Sequence, residues 1–292
     1  MTKKKDYINK VFYKNAQKMT AVPDGCVDLI VTSPPYFNVK DYSKDGYQEV
    51  QKNQKKKKQI GDIADYQKFI KELLKVWVEC ERVLKPNGKL IINTPLMPMK
   101  KSDFDSHYNR HIFDLNSDIQ QSLIYREGTE MFLYDTYIWN RKNTTKKLMF
   151  GSYPHPRNFY AQNTSEFVTV YVKDGKIKEN ISKTRKKKSE LTQDEWVEFT
   201  KQIWTIAIPN KGDLAFGDHS AIMPEEIVRR CVRLFTFEGD VVLDPFTGSG
   251  TTLKVAKELN RKFIGYEIVK DYEDIITKKL MSVDQEKLNL KV

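Results

Sequence analysis

The sequence lacks features that mark several protein classes. Its 292 residues contain only three cysteines, Cys26, Cys80 and Cys231. Their odd number and wide spacing argue against a disulfide framework and against a zinc cluster. No run of about 18 apolar residues occurs, so we expect no membrane-spanning helix. Residues 1–6 are not followed by an apolar stretch, so we expect no secretory signal and a cytoplasmic protein.

Basic charge, in contrast, is abundant and concentrated. The formal net charge is +11, of which residues 40–60 carry +4 and residues 171–190 carry +5. Clustered positive charge is the electrostatic pattern expected for a polyphosphate partner. Solvated lysine-rich loops would give the same counts. Charge alone therefore leaves both interpretations open.

Alternating strand and helix patterns predict an α/β fold. Short apolar, β-branched strand patterns occur at 27–32, 89–93, 131–140, 166–172, 241–243 and 262–267. Between the first two, residues 66–84 carry apolar side chains at the three- and four-residue spacing of an amphipathic helix. We expect a loop and then a helix near Asn116–Tyr125 within 94–130. Strands that alternate with helices predict an open, doubly wound, mostly parallel sheet of about seven strands.

A glycine-rich loop follows one of these strands. Residues 244–252 read Asp-Pro-Phe-Thr-Gly-Ser-Gly-Thr-Thr and lie between a predicted strand and a predicted helix, where open α/β sheets bind ligands. Glycines allow close backbone approach, and the helix N-terminus offers N–H groups to an anion such as a carboxylate. Glu267 follows Gly248 by 19 residues, a position typical of an acid that binds a ribose diol. The alternative is a tight turn capped by a threonine.

A second loop, Thr32-Ser33-Pro34-Pro35-Tyr36, also follows a predicted strand. Consecutive prolines fix the backbone and remove N–H donors, so carbonyl groups and the Ser33 hydroxyl remain as acceptors. This array suits a substrate that donates N–H, such as an exocyclic amino group, and Tyr36 offers a face on which a base can stack. Seen alone, the pattern favours a proline-rich turn beside a core tyrosine.

Together the two motifs resemble those of S-adenosylmethionine-dependent DNA amino-methyltransferases. Pro34 precedes Asp244 by 210 residues, which is the circularly permuted, beta-class order of that family. Protein-glutamine methyltransferases carry the cofactor loop first, so the order argues against them. The resemblance implies a Rossmann-like methyltransferase fold, S-adenosyl-L-methionine as cofactor, a flipped base in double-stranded DNA as substrate, and a place in restriction-modification.

The resemblance also implies which residues act. The catalytic motif is Ser33, Pro34, Pro35 and Tyr36. The cofactor-binding residues are Asn15, Thr32, His219, Ala221, Pro224, Asp244, Phe246, Gly248, Ser249, Gly250, Thr251, Thr252 and Glu267. Serine at position 33 resembles the cytosine-N4 members, whereas adenine-N6 members more often carry Asp or Asn there. We therefore expect cytosine-N4 methylation, with adenine-N6 as the alternative.

The same resemblance divides the chain into three parts. Residues 1–172 form the catalytic half with a basic loop at 38–62, residues 173–203 a small target-recognition segment, and residues 204–292 the cofactor-binding half. Because 173–203 is short, we expect 38–62 and 94–130 to share target recognition. A cognate restriction endonuclease and a homodimer are further partners that the resemblance suggests, and no membrane partner is expected.

Four other interpretations compete with this one. These are methylation of structured RNA, a non-catalytic DNA-binding module, a nicotinamide oxidoreductase and a metal site. An intact proline motif beside an intact glycine loop argues against a degenerate scaffold, and an oxidoreductase leaves the proline motif unexplained. His107 and His111 are four residues apart, but no acidic partner pattern accompanies them. We therefore expect His107, His111 and His155 to be polar loop residues, with no metal.

Overall fold

The structure is a computed structural model of the chain. It describes residues 6–37, 59–100, 107, 110–142, 152–159, 161, 163–177, 180–216 and 222–289. The basic loop predicted at 38–62 therefore lies mostly outside the described residues. No helix among the described residues is long and apolar enough to cross a membrane.

Nine strands and seven helices alternate along the described chain. The strands are β1 (Lys10–Phe12), β2 (Val27–Thr32), β3 (Leu84–Lys100), β4 (Arg110–Asp114), β5 (Met131–Lys142), β6 (Ser165–Lys173), β7 (Ile203–Ala207), β8 (Val241–Asp244) and β9 (Lys262–Tyr266). The helices are α1 (Tyr66–Val83), α2 (Leu115–Ile124), α3 (Lys183–Lys188), α4 (Gln193–Phe199), α5 (Glu225–Phe235), α6 (Thr251–Glu258) and α7 (Glu273–Asn289). The predicted α/β class is confirmed.

The strands form a single mixed sheet in the order β1-β9-β8-β2-β3-β6-β5-β7, and β4 pairs with β3 outside this path. Strand β6 runs antiparallel to both of its neighbours, while the other pairs along the path are parallel. From β2 the chain proceeds to β3 on one side, and from β8 it proceeds to β9 on the other. The boundary between β2 and β8 is thus the topological switch point, where such sheets form ligand crevices.

Two helical layers bury the two faces of the sheet. Helix α1 begins at Asp65, whose side chain accepts a hydrogen bond from the Lys68 backbone N–H, and its apolar stripe packs against one face together with α2. Helices α5, α6 and α7 cover the other face with side chains such as Val228, Leu253 and Ile276. This three-layer arrangement fixes the strand ends from which the candidate site is built.

The structure differs from the sequence-based expectations in β3 and in three further strands. Residues 85–88 form an irregularity within β3, where the pairing with β2 shifts register. Residues 94–100, expected to be a loop, continue β3: Thr94 and Pro95 pair with β6, and residues 96–100 pair with β4. The sheet also contains three strands, β1, β4 and β7, that the apolar patterns did not predict. Each is at most five residues long and is partly polar or exposed.

The predicted recognition segment at 173–203 lies at the amino-terminal edge of the parallel strands. Strand β6 ends there, because Val172 pairs with Lys89 near the beginning of the regular part of β3. The Arg185 side chain of α3 donates hydrogen bonds to the Glu238 carbonyl and to Asp240, just before β8 begins. The recognition role of this segment stays a prediction.

The packing of α1 gives a first testable prediction. Leu73 is fully buried against the sheet, whereas Val78, on the outer side of the same helix, is 40% exposed. Leu73→Ala should lower the free energy of unfolding by about 2–5 kcal/mol, since it removes buried methyl groups and leaves a cavity. Val78→Ala should change it by no more than about 0.5 kcal/mol. Urea denaturation of both variants measures this, and equal losses would contradict the assigned helix face.

Candidate active site

The two sequence motifs meet at the carboxyl ends of adjacent strands. Strand β2 ends at Thr32, immediately before Ser33, and β8 ends at Asp244, which begins the glycine loop. The two strands are parallel neighbours, with Ile30 paired to Leu243. The Thr32 hydroxyl donates a 2.6 Å hydrogen bond to Asp244 Oδ1 across 212 residues of sequence. The structure therefore brings the proline motif and the glycine loop together.

The glycine loop is a tight turn that leads into α6. The Gly250 N–H donates to the Thr247 carbonyl at 2.8 Å, and the Phe246 N–H donates to Asp244 Oδ1 at 3.0 Å. Gly248 and Gly250 have φ angles of 51° and 85°, in the left-handed region that favours glycine. Gly250 is also the N-cap residue of α6. The turn thus directs backbone groups of the α6 N-terminus toward the crevice. A side chain in place of either glycine would strain the turn.

Glu267 fixes the far side of this turn. Its carboxylate accepts the Gly248 N–H at 2.8 Å and the Val269 N–H at 2.7 Å. Burial raises the pKa of this carboxyl, while the backbone hydrogen bonds oppose the shift. Its own N–H donates to the Phe12 carbonyl of β1 at 3.0 Å, so the unpredicted edge strand β1 helps to position it. Each carboxylate oxygen has a further lone pair, which suits a ribose diol.

Asp244 is the most deeply buried acid of the loop. Burial raises its pKa to about 6, while hydrogen bonds from Thr32, the Phe246 backbone and Thr252 oppose the shift. The Thr252 hydroxyl also donates to the Val31 carbonyl at 3.3 Å. The Asp244 carboxyl group therefore joins the ends of both loops. Its burial removes it from water, which costs free energy.

The proline motif forms its own hydrogen-bonded cluster. Ser33 Oγ and the Tyr36 hydroxyl are 3.1 Å apart, and the Tyr36 hydroxyl donates to Glu166 Oε2 at 3.4 Å. Asn93, beside the motif on β3, donates to the same Glu166 oxygen at 2.6 Å. Tyr36 is only 8% exposed. Its hydroxyl group and ring are thus fixed by the protein rather than being free in a loop.

Buried aromatic side chains pack against both loops. Phe37 is buried among Tyr66, Phe69 and Phe113, with ring centroids 5.1–6.0 Å away. Phe246, which the sequence assigned to the cofactor, contacts Trp77 of α1 edge-on at a centroid distance of 5.8 Å. A rigid apolar support of this kind restricts the motion of both loops.

The structure also locates two other residues, Asn15 and Pro224, that the resemblance implies for cofactor binding. Asn15 is exposed just after β1, at the same edge of the sheet, and its Oδ1 accepts the Gln17 N–H at 2.8 Å. Pro224 is buried at the beginning of α5. His219 and Ala221 lie outside the described residues. Among the described residues, no three His, Cys, Asp or Glu side chains are grouped so that they could hold a metal ion.

Several residues of the site were not predicted from the sequence. Lys279 of α7 is 1% exposed and donates to Thr251 Oγ1 at 3.0 Å, and it pairs with Asp213 at 3.0 Å. Burial lowers the pKa of Lys279, although the Asp213 carboxylate opposes the shift. Glu166, Asn93 and Arg141 were missed as well. Their only signal was a polar residue within a strand pattern, which does not identify a partner.

Comparison with known proteins gives the family. A family model described as DNA methylase, covering the N6 and N4 enzymes, matches residues 27–278. The chain belongs to this family. The type II methyltransferase M.MjaI of Methanocaldococcus jannaschii is 30% identical over 284 residues, which span 93% of this chain and 91% of that protein. M.BglII, a type II methyltransferase of Bacillus subtilis, is 28% identical over 93% of this chain and 68% of its own length.

Solved structures show the same fold. A putative DNA modification methylase from Thermus thermophilus, solved in complex with S-adenosyl-L-methionine, is 27% identical with a TM-score of 0.71, and the match covers 94% of each chain. The family resemblance and the permuted motif order are thus confirmed. The chain is an S-adenosylmethionine-dependent DNA amino-methyltransferase, and the oxidoreductase alternative is wrong.

The described residues fit this cofactor. Glu267 lies beside the glycine turn with acceptor capacity for the ribose hydroxyls, and the α6 N-terminus offers N–H groups for a carboxylate. The individual contacts assigned to the cofactor-binding residues stay predictions.

Burial of Asp244 leads to a pH-dependent prediction. Its folded-state pKa of about 6 exceeds the ordinary value of 3.8, so the stability linked to this group is present at low pH and is lost as the pH rises through 6. Relative to Asp244→Asn, the wild-type free energy of unfolding should fall by about 3 kcal/mol between about pH 3 and pH 7. Chemical denaturation over this range measures the difference. Parallel curves for the two proteins would contradict the prediction.

Proposed function

We propose that the chain transfers a methyl group from S-adenosylmethionine to the exocyclic N4 of a flipped cytosine in duplex DNA. The observation that carries this proposal is the adjacency of Ser33 to the glycine loop, fixed by the 2.6 Å hydrogen bond between Thr32 and Asp244. It puts a set of acceptors next to the place where the fold holds its cofactor. An amino group bound there would face the donor of the methyl group.

The reaction requires an amino group whose lone pair is available. The lone pair of an exocyclic nitrogen is conjugated with the ring, which makes the nitrogen a poor nucleophile. We infer that Ser33 Oγ and the Pro34 carbonyl accept its two hydrogens and shift it toward a tetrahedral geometry. S-adenosylmethionine would supply an electrophilic methyl group on a sulfonium. As the nitrogen–methyl bond forms, the carbon–sulfur bond would break, S-adenosylhomocysteine would leave, and one amino hydrogen would be lost as a proton to solvent. Holding the nitrogen in line, about 3–3.5 Å from the carbon, supplies much of the rate enhancement.

Cytosine is favoured over adenine by the residue before the two prolines. Serine at this position resembles the cytosine-N4 members of the family. A base within a duplex is out of reach of such a pocket, so the base must be flipped, and Tyr36 is the residue proposed to stack on it. Stacking on an aromatic side chain contributes about 1–3 kcal/mol per base.

The test of this proposal is identification of the methylated nucleoside. Purified protein is incubated with labelled S-adenosylmethionine and duplex DNA of mixed sequence, and the DNA is digested to nucleosides. We expect the label on N4-methylcytosine. Label on N6-methyladenine would establish the adenine alternative and overturn the proposed base specificity. Label in structured RNA but not in DNA would overturn the proposed substrate.

The basic segment before α1 is the proposed DNA contact. The described residues before the basic segment end at Phe37, next to the catalytic motif, and those after it begin at residue 59. A Cβ on Gly61 would lie 3.0 Å from the Tyr36 carbonyl oxygen and 3.2 Å from Pro35 Cβ. The described residues that flank the lysine-rich segment 38–58 therefore lie beside the motif, which supports the proposal that its charge acts where the DNA binds.

A matched pair of variants tests this placement. One variant changes four lysines of the basic segment to Gln: Lys55, Lys56, Lys57 and Lys58. The other changes the four exposed lysines of α3 to Gln: Lys183, Lys186, Lys187 and Lys188. The first should weaken DNA binding and reduce the slope of log K against log salt by about 0.9 for each phosphate that is no longer neutralised. The second should have the smaller effect, since α3 lies at the opposite edge of the sheet.

Fluorescence anisotropy with a labelled duplex at several salt concentrations measures both slopes. A larger effect of the α3 variant would contradict the assignment and would favour residues 173–203 as the DNA-contacting segment. A cognate endonuclease, a homodimer and a cytoplasmic location stay predictions that follow from the family and its DNA substrate.

A further inference from the structure

A buried cluster of polar side chains lies directly behind the catalytic motif. The Glu166 side chain on β6 is 1% exposed, and Arg141 on β5 is 5% exposed and pairs with it at 3.4 Å. Asn93 on β3 donates to Glu166 at 2.6 Å, and the Tyr36 hydroxyl reaches the same oxygen at 3.4 Å. Three strands thus place polar groups around one carboxylate. Burying an ion pair usually contributes little to stability, so a functional role is a reasonable expectation.

The chemistry of these groups fixes the direction of the hydrogen bonds. A carboxylate paired with an arginine only accepts hydrogen bonds, so the Tyr36 hydroxyl must donate its hydrogen to Glu166. The Tyr36 oxygen is then an acceptor toward Ser33, 3.1 Å away, and the Ser33 hydroxyl must be the donor of that contact. The hydroxyl hydrogen of Ser33 is thereby directed away from the substrate.

We propose that Glu166 is a positioning residue that sets the polarity of the Tyr36–Ser33 hydrogen bond and so keeps Ser33 Oγ an acceptor toward the target amino group. This inference rests on the proposed function, in which that amino group donates N–H to Ser33. A hydroxyl can donate or accept, and only acceptance assists the amino nitrogen. Glu166 does not touch the substrate, and acts through Tyr36.

The position of Glu166 in the sheet makes this arrangement stable. Strand β6 runs between β3 and β5, with Glu166 opposite Pro95 on one side and Trp139 on the other. Asn93 and Arg141 project from the flanking strands toward the same carboxylate. The carboxylate that accepts from Tyr36 is thus held by strands and not by a loop, so the donor direction is set before substrate binds.

Glu166→Gln separates this role from a structural one. Glutamine keeps the shape of the side chain but has one accepting oxygen in place of two, and Asn93 and Arg141 also donate to it. The direction of the Tyr36 hydroxyl is then no longer fixed, and it can donate toward Ser33. The value of kcat for DNA methylation should fall about 10- to 100-fold, the effect of losing one hydrogen bond to a charged group. The Kd for S-adenosylmethionine should stay unchanged, because the cofactor loop is attached to β8.

A double-mutant cycle shows whether the effect passes through Ser33. Each substitution, Glu166→Gln and Ser33→Ala, should lower kcat in the wild-type background. In the Ser33→Ala background, Glu166→Gln should change kcat by less than about twofold, since interacting residues are not additive. Equal fold-losses in both backgrounds would overturn the proposal and indicate a merely structural role. If Glu166→Gln is too unstable to assay, Tyr36→Phe replaces it in the same cycle, with the same expected and contradicting outcomes.

Glu81→Gln is the matched control. Glu81 lies on α1, far from the motif. Its side chain is 9% exposed and is paired with Arg126. It also accepts the Glu130 backbone N–H at 2.9 Å. This variant removes an equivalent buried carboxylate, so it should lower the melting temperature comparably while kcat stays within about twofold of wild type. A loss of kcat in Glu81→Gln as large as that in Glu166→Gln would assign the effect to general destabilisation and overturn the proposal.

A neutron structure of the deuterium-exchanged protein tests the inference without any activity measurement. The Tyr36 deuteron should lie toward Glu166 and the Ser33 deuteron toward Tyr36. A Tyr36 deuteron directed at Ser33 would overturn the polarity argument, even if DNA is methylated. If the wild-type protein methylates no DNA while the deuterons lie as expected, the proposed function fails and the polarity assignment stands.

Discussion

The hydrogen bond between Thr32 and Asp244 is the contact on which the proposed site depends. It joins the carboxyl ends of β2 and β8 across 212 residues of sequence. Thr32 is 0% exposed and Asp244 is 3% exposed, so neither group can exchange its partner for bulk water. Leaving a buried polar group unpaired costs about 1–3 kcal/mol, which favours this one pairing of the two loops. Because adjacency in the sheet, not order in the chain, brings the motifs together, a permuted sequence still forms a single site.

Buried polar groups surround this contact at the carboxyl ends of the strands. Asp244 and Glu267 both have pKa values raised by burial, and Lys279 has a pKa lowered by burial. Glu166 lies behind the proline motif with its side chain 1% exposed. Such groups lose hydration on folding and regain it only through specific partners. Grouped around the two loops, they therefore hold the site in one arrangement, with a cost in stability.

Local sequence signals predicted the parts of the fold that local physics determines. The apolar spacing of 66–84 predicted α1, and the proline and glycine runs after 27–32 and 241–243 predicted the two functional loops. Strands β1, β4 and β7 were missed because each is short and partly polar or exposed. Strands β1 and β7 are stabilised by neighbours distant in sequence, whereas β4 pairs with the preceding end of β3. The same reasoning explains the long β3, whose carboxyl-terminal part is a strand because β4 and β6 pair with it.

The residues of the site divide in the same way, into those with a local sequence signal and those without one. Motif residues such as Ser33 and Gly248 are recognisable because their types and spacing carry chemistry. Glu166 and Lys279 are not, because a single charged residue in a strand or helix pattern says nothing about its neighbours. Their partners are set by the order of β3, β6 and β5 and by the packing of α7 on the glycine loop. Only the assembled sheet reveals them.

A crystal structure with S-adenosylmethionine and a duplex that contains the target base would test the central claim most directly. We expect the methyl carbon to lie about 3–3.5 Å from an exocyclic amino nitrogen whose hydrogens point at Ser33 Oγ and the Pro34 carbonyl, with the ribose on Glu267. A cofactor bound at the glycine loop while the amino group lies away from residues 33–36 would contradict it.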